Sequence, residues 1–236
     1  MRTYGSETTD VFMALEEKVG EVTDSPAVLV TGGMTRLGAI IAERLRTQGY
    51  KVLCSSHRHD AGADFVADFR DSSAAVKLYL EAIKREPRLF AIVNNASLFV
   101  GKDEELEAIN FIVPQKLTML LAGKEDVKGA VVNILDSRIL DLNKKPEELT
   151  PYERTKCQLL EYTRKSAALF AETIRVNAVA PGPVLKPEYF HESKGDTLLP
   201  YPPRAEDVAD AVAFLLKANS TTGTIIPVDS GQFLMP

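Results

Sequence analysis

A chain of 236 residues, 45% hydrophobic and 26% charged, carries enough apolar material for one α/β domain under an ordinary globular surface. Its net charge of −5 offers no basic face and argues against nucleic acid as a partner. Two cysteines, Cys54 and Cys157, lie outside any CxxC pair, and the three histidines stand without clustered ligands, so neither a disulfide frame nor a metal site is expected. No apolar run approaches the ~20 residues that span a bilayer, and the N-terminus lacks a basic-then-apolar leader. A cytoplasmic protein with no membrane partner is the expectation.

Residues 1–25 are polar, with a thin apolar stripe at Val11, Phe12, Leu15 and Val19, as in a short helix or flexible extension. A single domain is expected over 26–236. Its first strand, 27–31, runs into glycines, and a helix follows from Leu37 to Gln48 with Gly49 as its C-terminal cap. Further strands are expected at 51–55, 64–68, 90–94, 129–135, 175–180 and 224–228. Helices are expected over 72–86, in the region leading to Ala122, over 150–172 and over 204–218. Thr150, Pro151 and Glu153 form a capping box at the start of the third of these, and Pro227 marks the last strand as a sheet edge. Apolar strands alternating with helices predict an α/β, Rossmann-type doubly wound parallel sheet of about seven strands with helices on both faces. Prolines 181, 183, 187, 200, 202 and 203 crowd one irregular stretch, which suits a substrate lid around 183–203.

Residues 31–38 (Thr-Gly-Gly-Met-Thr-Arg-Leu-Gly) sit at the first strand-to-helix turn. Glycines there let the backbone approach a pyrophosphate, whose charge a helix N-terminus attracts. The second strand ends in His57, Arg58 and His59 rather than in an acidic residue. Cationic and hydrogen-bonding groups at that place suit a ribose 2′-phosphate, and so NADP(H). Tyr152 and Lys156 stand four residues apart on one helical face, where a cation would lower the phenol's pKa and make it a usable proton donor.

Taken in order, the 31–38 turn, Asp68, Asn94-Asn95-Ala96, Tyr152 with Lys156, and Pro181-Gly182 resemble the short-chain dehydrogenase/reductase family over roughly residues 26–236. The resemblance implies a catalytic tyrosine at Tyr152, a ribose-binding lysine at Lys156 and a supporting asparagine at Asn110. It implies cofactor contacts from Gly32, Arg36, Leu37 and Gly38, from Asp68 and Phe69 at the adenine, from Asn94, Ala96 and Ser97, and from Pro181, Gly182 and Val184 beside the nicotinamide. A homodimer or homotetramer is implied as well.

Departures from the common family pattern are informative. Arg36 replaces a glycine of the turn, Ser97 replaces the glycine after Asn-Asn-Ala, Phe99 follows it, and Asp136 stands at the usual catalytic serine position. Together they resemble the pteridine reductases of the family, including bacterial dihydromonapterin and dihydrofolate reductases. A pterin ring needs a proton on nitrogen, which an aspartate beside a tyrosine can relay, and an aromatic face, which Phe99 could supply. Arg36, Ser97, Phe99, Asp136 and Tyr152 are therefore the expected substrate contacts. The expected reaction is NADPH-dependent hydride transfer to a pterin of the dihydromonapterin, dihydrobiopterin or dihydrofolate type. Two alternatives stand beside it: a carbonyl or 3-oxoacyl reductase using Ser137 in place of Asp136, and a non-catalytic NADP(H) sensor. Ser230 occupies a position where the family usually has glycine, and the stretch 140–149 is longer than usual.

Overall fold

The computed structural model describes residues 25–59, 62–71, 73–141, 144–184 and 197–234. The expected N-terminal extension (all but its last residue) and the central part of the expected lid lie outside these residues. The described chain builds a seven-stranded parallel sheet in the order β3-β2-β1-β4-β5-β6-β7. Its strands are β1 (Ala27–Val30), β2 (Lys51–Ser56), β3 (Phe65–Val66), β4 (Leu89–Asn94), β5 (Gly129–Ile134), β6 (Ile174–Pro181) and β7 (Ile225–Val228). Only β3 is much shorter than expected, two residues instead of five.

The inner strands are buried on both faces, which is why they read as apolar runs and not as alternation. Their side chains nevertheless sort by period two. Val28, Val30, Val93 and Val132 pack under α1 (Arg36–Thr47) and α6 (Ala205–Lys217). Leu29, Ile92, Val131 and Val176 pack on the other face with α2 (Ala74–Arg85) and α4 (Val113–Ala122). That second face is completed by α5 (Pro151–Leu169), whose start shows the expected capping box: Glu153 N donates to Thr150 Oγ1 at 3.2 Å and Thr150 N to a Glu153 carboxylate oxygen at 2.8 Å.

The helical region before Ala122 is not one regular helix. A short α3 (Asp103–Glu107) passes into a π turn, Ala108–Ile112, and then into α4. Such widened turns gather at functional sites, and Asn110 lies inside this one. The predicted cap at Gly49 holds: its φ of +86° is a left-handed value that glycine adopts without strain. β7 pairs with β6 alone, so Pro227 lies on an edge as expected. Among the described residues no helix is long and apolar enough to cross a membrane.

Candidate active site

All strands point the same way, so their carboxyl ends share one rim. Strand order reverses across β1 and β4, and a crevice opens there. The cleft measures about 1510 Å³. Single small-molecule sites span roughly 300–1,000 Å³, so this one has room for a dinucleotide and a second ring.

The glycine turn forms its floor. Gly32 has φ +62°, and a Cβ placed on Gly38 would lie 2.1 Å from the Gly32 carbonyl oxygen, so neither position tolerates a side chain. Asn95 locks the turn: its Nδ2 donates to Thr31 O (2.9 Å) and Gly32 O (3.2 Å), while Asn95 N and Ala96 N both donate to Thr31 Oγ1 at 3.0 Å. The first turn of α1 holds no acidic residue to compete with an anion at its amino end. Arg36 has a φ of +51° and Ser230 one of +56°, both in the left-handed region that favours glycine. Across the cleft, Gly182 N donates to Val228 O at 2.9 Å, and a Cβ on Gly182 would meet the Asp229 Cβ at 2.8 Å. These close approaches make a shaped cradle, and Gly32, Arg36, Leu37, Gly38, His57, Asp68, Phe69, Ala96, Ser97, Pro181, Gly182 and Val184 all line it. The residues present fit a dinucleotide.

The structure does not bring every expected residue to the cleft. Asn94 does not line the cleft; as the last residue of β4 it turns inward, where its Nδ2 donates to Asn133 Oδ1 at 2.8 Å, and the next residue, Asn95, takes the cleft side. Of the three residues expected at the 2′-phosphate only His57 lines the cleft, because β2 ends at Ser56 and the chain turns away after it. Arg58 and His59 are exposed beyond that turn. Arg70, unforeseen, joins His57 there. It grips Asp68 through Nε (3.0 Å) and Nη2 (2.6 Å), and these bonds hold the Asp68 carboxyl below its ordinary range.

Asn110 is 1% exposed, and protein groups take up its side chain. Its Oδ1 accepts from Ser97 Oγ (2.9 Å) and Leu98 N (2.8 Å); its Nδ2 donates to Leu98 O (2.8 Å) and Thr155 Oγ1 (3.1 Å). It shapes the 97–98 turn and does not face the cleft. Phe99 is not among the lining residues either. Its ring meets Tyr152 edge-on at 4.8 Å, with the Arg138 guanidinium 5.3 Å from its centroid.

At the centre, the Tyr152 hydroxyl donates to Asp136 Oδ2 at 3.1 Å. Asp136, Tyr152 and Lys156 all line the cleft, whereas Ser137 is 1% exposed and turned away from it. The expected lowering of the Tyr152 pKa by Lys156 is not seen: other groups set it, and they raise it. Burial first, then the neighbouring Asp136 carboxylate, push the phenol well above its usual value. Lys156, 2% exposed, donates instead to Ile134 O at 2.9 Å, and burial lowers its own pKa to about 8. The phenol therefore keeps its proton at neutral pH, as a donor must.

With this geometry in view, comparison places the chain among known proteins. The family described as enoyl-(acyl carrier protein) reductase matches residues 116–232. FolM alternative dihydrofolate reductase 1 from Brucella canis, solved in complex with NADP, is 32% identical, with a TM-score of 0.74 over 89% of this chain and 95% of that one. The Brucella suis protein, also solved with NADP, is likewise 32% identical at the same TM-score, over 89% and 96%. Dihydromonapterin reductase from Escherichia coli O6:H1 is 25% identical over 90% of this chain and 98% of its own. A candidate ketoacyl reductase of the granaticin polyketide synthase from Streptomyces violaceoruber is 28% identical over 91% and 99%. The chain belongs to the short-chain dehydrogenase/reductase family.

Proposed function

We propose that this protein is an NADPH-dependent reductase of a pterin ring, of the dihydromonapterin, dihydrobiopterin or dihydrofolate type. The observation that carries the reading is the hydrogen bond between Tyr152 and Asp136. A hydroxyl-bearing residue in place of Asp136 would serve a ketone. An acidic one beside a protonated phenol suits a ring nitrogen that must gain a proton. The solved relatives that share this fold are named as dihydrofolate reductases bound to NADP. A carbonyl reductase working through Ser137 finds no support in the burial of that hydroxyl outside the cleft.

The glycine turn and the amino end of α1 would hold the cofactor's pyrophosphate, His57 and Arg70 its 2′-phosphate end, Lys156 its nicotinamide ribose, and Pro181, Gly182 and Val184 its nicotinamide. When bound, the cofactor supplies a hydride. Tyr152 would supply the proton, directly or through water, while Asp136 orients the phenol and relays to it a replacement proton taken from solvent in the cleft. Arg36 and Ser97 present hydrogen-bonding groups to the substrate edge, and Phe99 braces the Tyr152 ring. The 183–203 segment would close over the substrate. The reading carries with it action in the cytoplasm, where NADPH and reduced cysteines coexist, and assembly as a homodimer or homotetramer.

The test mixes purified protein with NADPH and a dihydropterin, with a diketone as control, and follows loss of NADPH absorbance. Pterin-dependent oxidation, lost on the order of 10²-fold or more in Tyr152→Phe and in Asp136→Ala, is the expected result. Oxidation with the diketone alone would overturn the pterin assignment.

A further inference from the structure

Asp136 and Tyr152 do not stand alone. Arg138, the second residue of the short 3-10 turn Ser137–Leu140, reaches back to the same carboxylate. Its backbone N–H donates to Asp136 Oδ1 at 3.0 Å, and its Nε lies 3.6 Å from that oxygen, while Tyr152 uses Oδ2. The guanidinium also lies over Phe99, whose ring abuts Tyr152. The contacts thus close a ring: Tyr152 to Asp136, Asp136 to Arg138, Arg138 to Phe99, Phe99 to Tyr152. Each member fixes its two neighbours, and Arg138 is the member that links the charged half to the aromatic half.

We propose that Arg138 is a positioning residue for the proton-donating tyrosine: it holds the Asp136 carboxylate aimed at Tyr152 and the Phe99 ring against the phenol. This rests on the reductase reading above and assigns a residue to it. The charged and titratable groups around the phenol come from two elements: Asp136 and Arg138 after β5, and Lys156 on α5. Ser97 and Phe99, after β4, add a hydroxyl and a ring. Lys156 directs its ammonium to Ile134 O, and its Nζ is 5.6 Å from the Tyr152 ring centroid. Arg138 is the cation whose charge offsets that of Asp136 at the phenol. Its planar fork suits both tasks, since guanidinium groups pair with carboxylates and lie on aromatic faces.

Charge and shape can be separated by experiment. Arg138→Met removes both, and Arg138→Lys keeps the charge but loses the planar fork. The readouts are kcat against pH and the NADPH dissociation constant, measured by cofactor fluorescence. Losing the cation makes deprotonation of Tyr152 harder. For Arg138→Met we expect kcat to fall on the order of tenfold, and the pH limb that reports Tyr152 to move up by about one unit. NADPH affinity should stay within about twofold, since the contacts described for Arg138 are to Asp136 and Phe99. Arg138→Lys should return the limb to its wild-type position while recovering only part of the rate. A fall in kcat with the limb unmoved, or a limb that Arg138→Lys does not restore, would overturn the proposal, because a merely structural arginine behaves that way. The comparison is made on whichever substrate the wild-type enzyme turns over. Failure with pterins and success with a diketone ends the pterin reading, and the limb still decides the role of Arg138.

Discussion

A single backbone angle at Arg36 says as much about the site as any side chain. An L-residue at φ +51° costs about 1–3 kcal/mol relative to relaxed backbone, and such strain persists where function retains it. Arg36→Gly should therefore leave stability unchanged or raise it by up to about 1 kcal/mol, less the glycine's own unfolded-state entropy. The same variant should weaken binding of the pterin, and the pair of denaturation and binding measurements checks both halves. A drop in stability would mean that the arginine's contacts outweigh the strain. Lys156 gives a pH-dependent case. Its folded pKa of about 8 lies below the ordinary 10.5, so the unfolded chain binds more protons between those values. Stability then rises with pH across that window, and the burden of burying the charge is fully present below it. Urea midpoints of the cofactor-free protein should show wild type gaining on Lys156→Met as pH is raised from about 7 to about 9.5. Tyr152 and Lys156 were legible because helical spacing puts them on one face, and Asp136 because the family resemblance sets it beside them. Directions were not: whether Asn94 or Asn95 faces the cleft depends on the pleat at the end of β4, and the upward shift of Tyr152 depends on burial and on the nearby Asp136 carboxylate.

Among the elements, those written in local chemistry were readable. Thr150, Pro151 and Glu153 mark the start of α5 within four residues, and Gly49 closes α1 by the one property that sets glycine apart. The break in the helix before α4 left no such mark. The π turn at Ala108–Ile112 comes with Asn110 reaching the 97–98 turn and Thr155 on α5, contacts between segments far apart in the chain. Where Arg58 and His59 stand was not legible for the same kind of reason, since where β2 stops is decided by its two-residue pairing with β3. Asn110→Ala should leave the Leu98 amide and carbonyl short of partners, at a cost of about 1–3 kcal/mol for each such group left buried. A fall in thermal midpoint together with a loss of kcat would follow, the latter because Ser97 and Phe99 hang on that turn. Full activity at normal stability would show that the turn holds its shape without Asn110.

At the scale of the whole molecule, the alternation of apolar runs and helices made the doubly wound sheet and its edge at Pro227 legible before any coordinate. The cleft was less so, because its walls come from the ends of β1 through β6 and no stretch of sequence contains them. Since one ligand would touch so many elements, NADPH should stabilise the fold as a unit. At a free concentration about 100 times its dissociation constant the gain is about 2.7 kcal/mol, read as a rise in thermal midpoint. NADH at the same concentration should give a smaller rise if His57 and Arg70 hold the 2′-phosphate, and equal shifts would remove that assignment.

The position of β1 between β2 and β4 also bears on how the chain is made. As it leaves the ribosome, β1 can pair with β2 at once, yet its other edge stays a bare row of amides and carbonyls until residues 89–94 emerge. A two-stranded ribbon is barely stable alone, and the loop at Gly32 lacks its Asn95 bonds until residues after β4 arrive. The early half-chain is thus both open-edged and blind to its ligand. The cofactor can act as a folding aid only for molecules that have already brought β4 home.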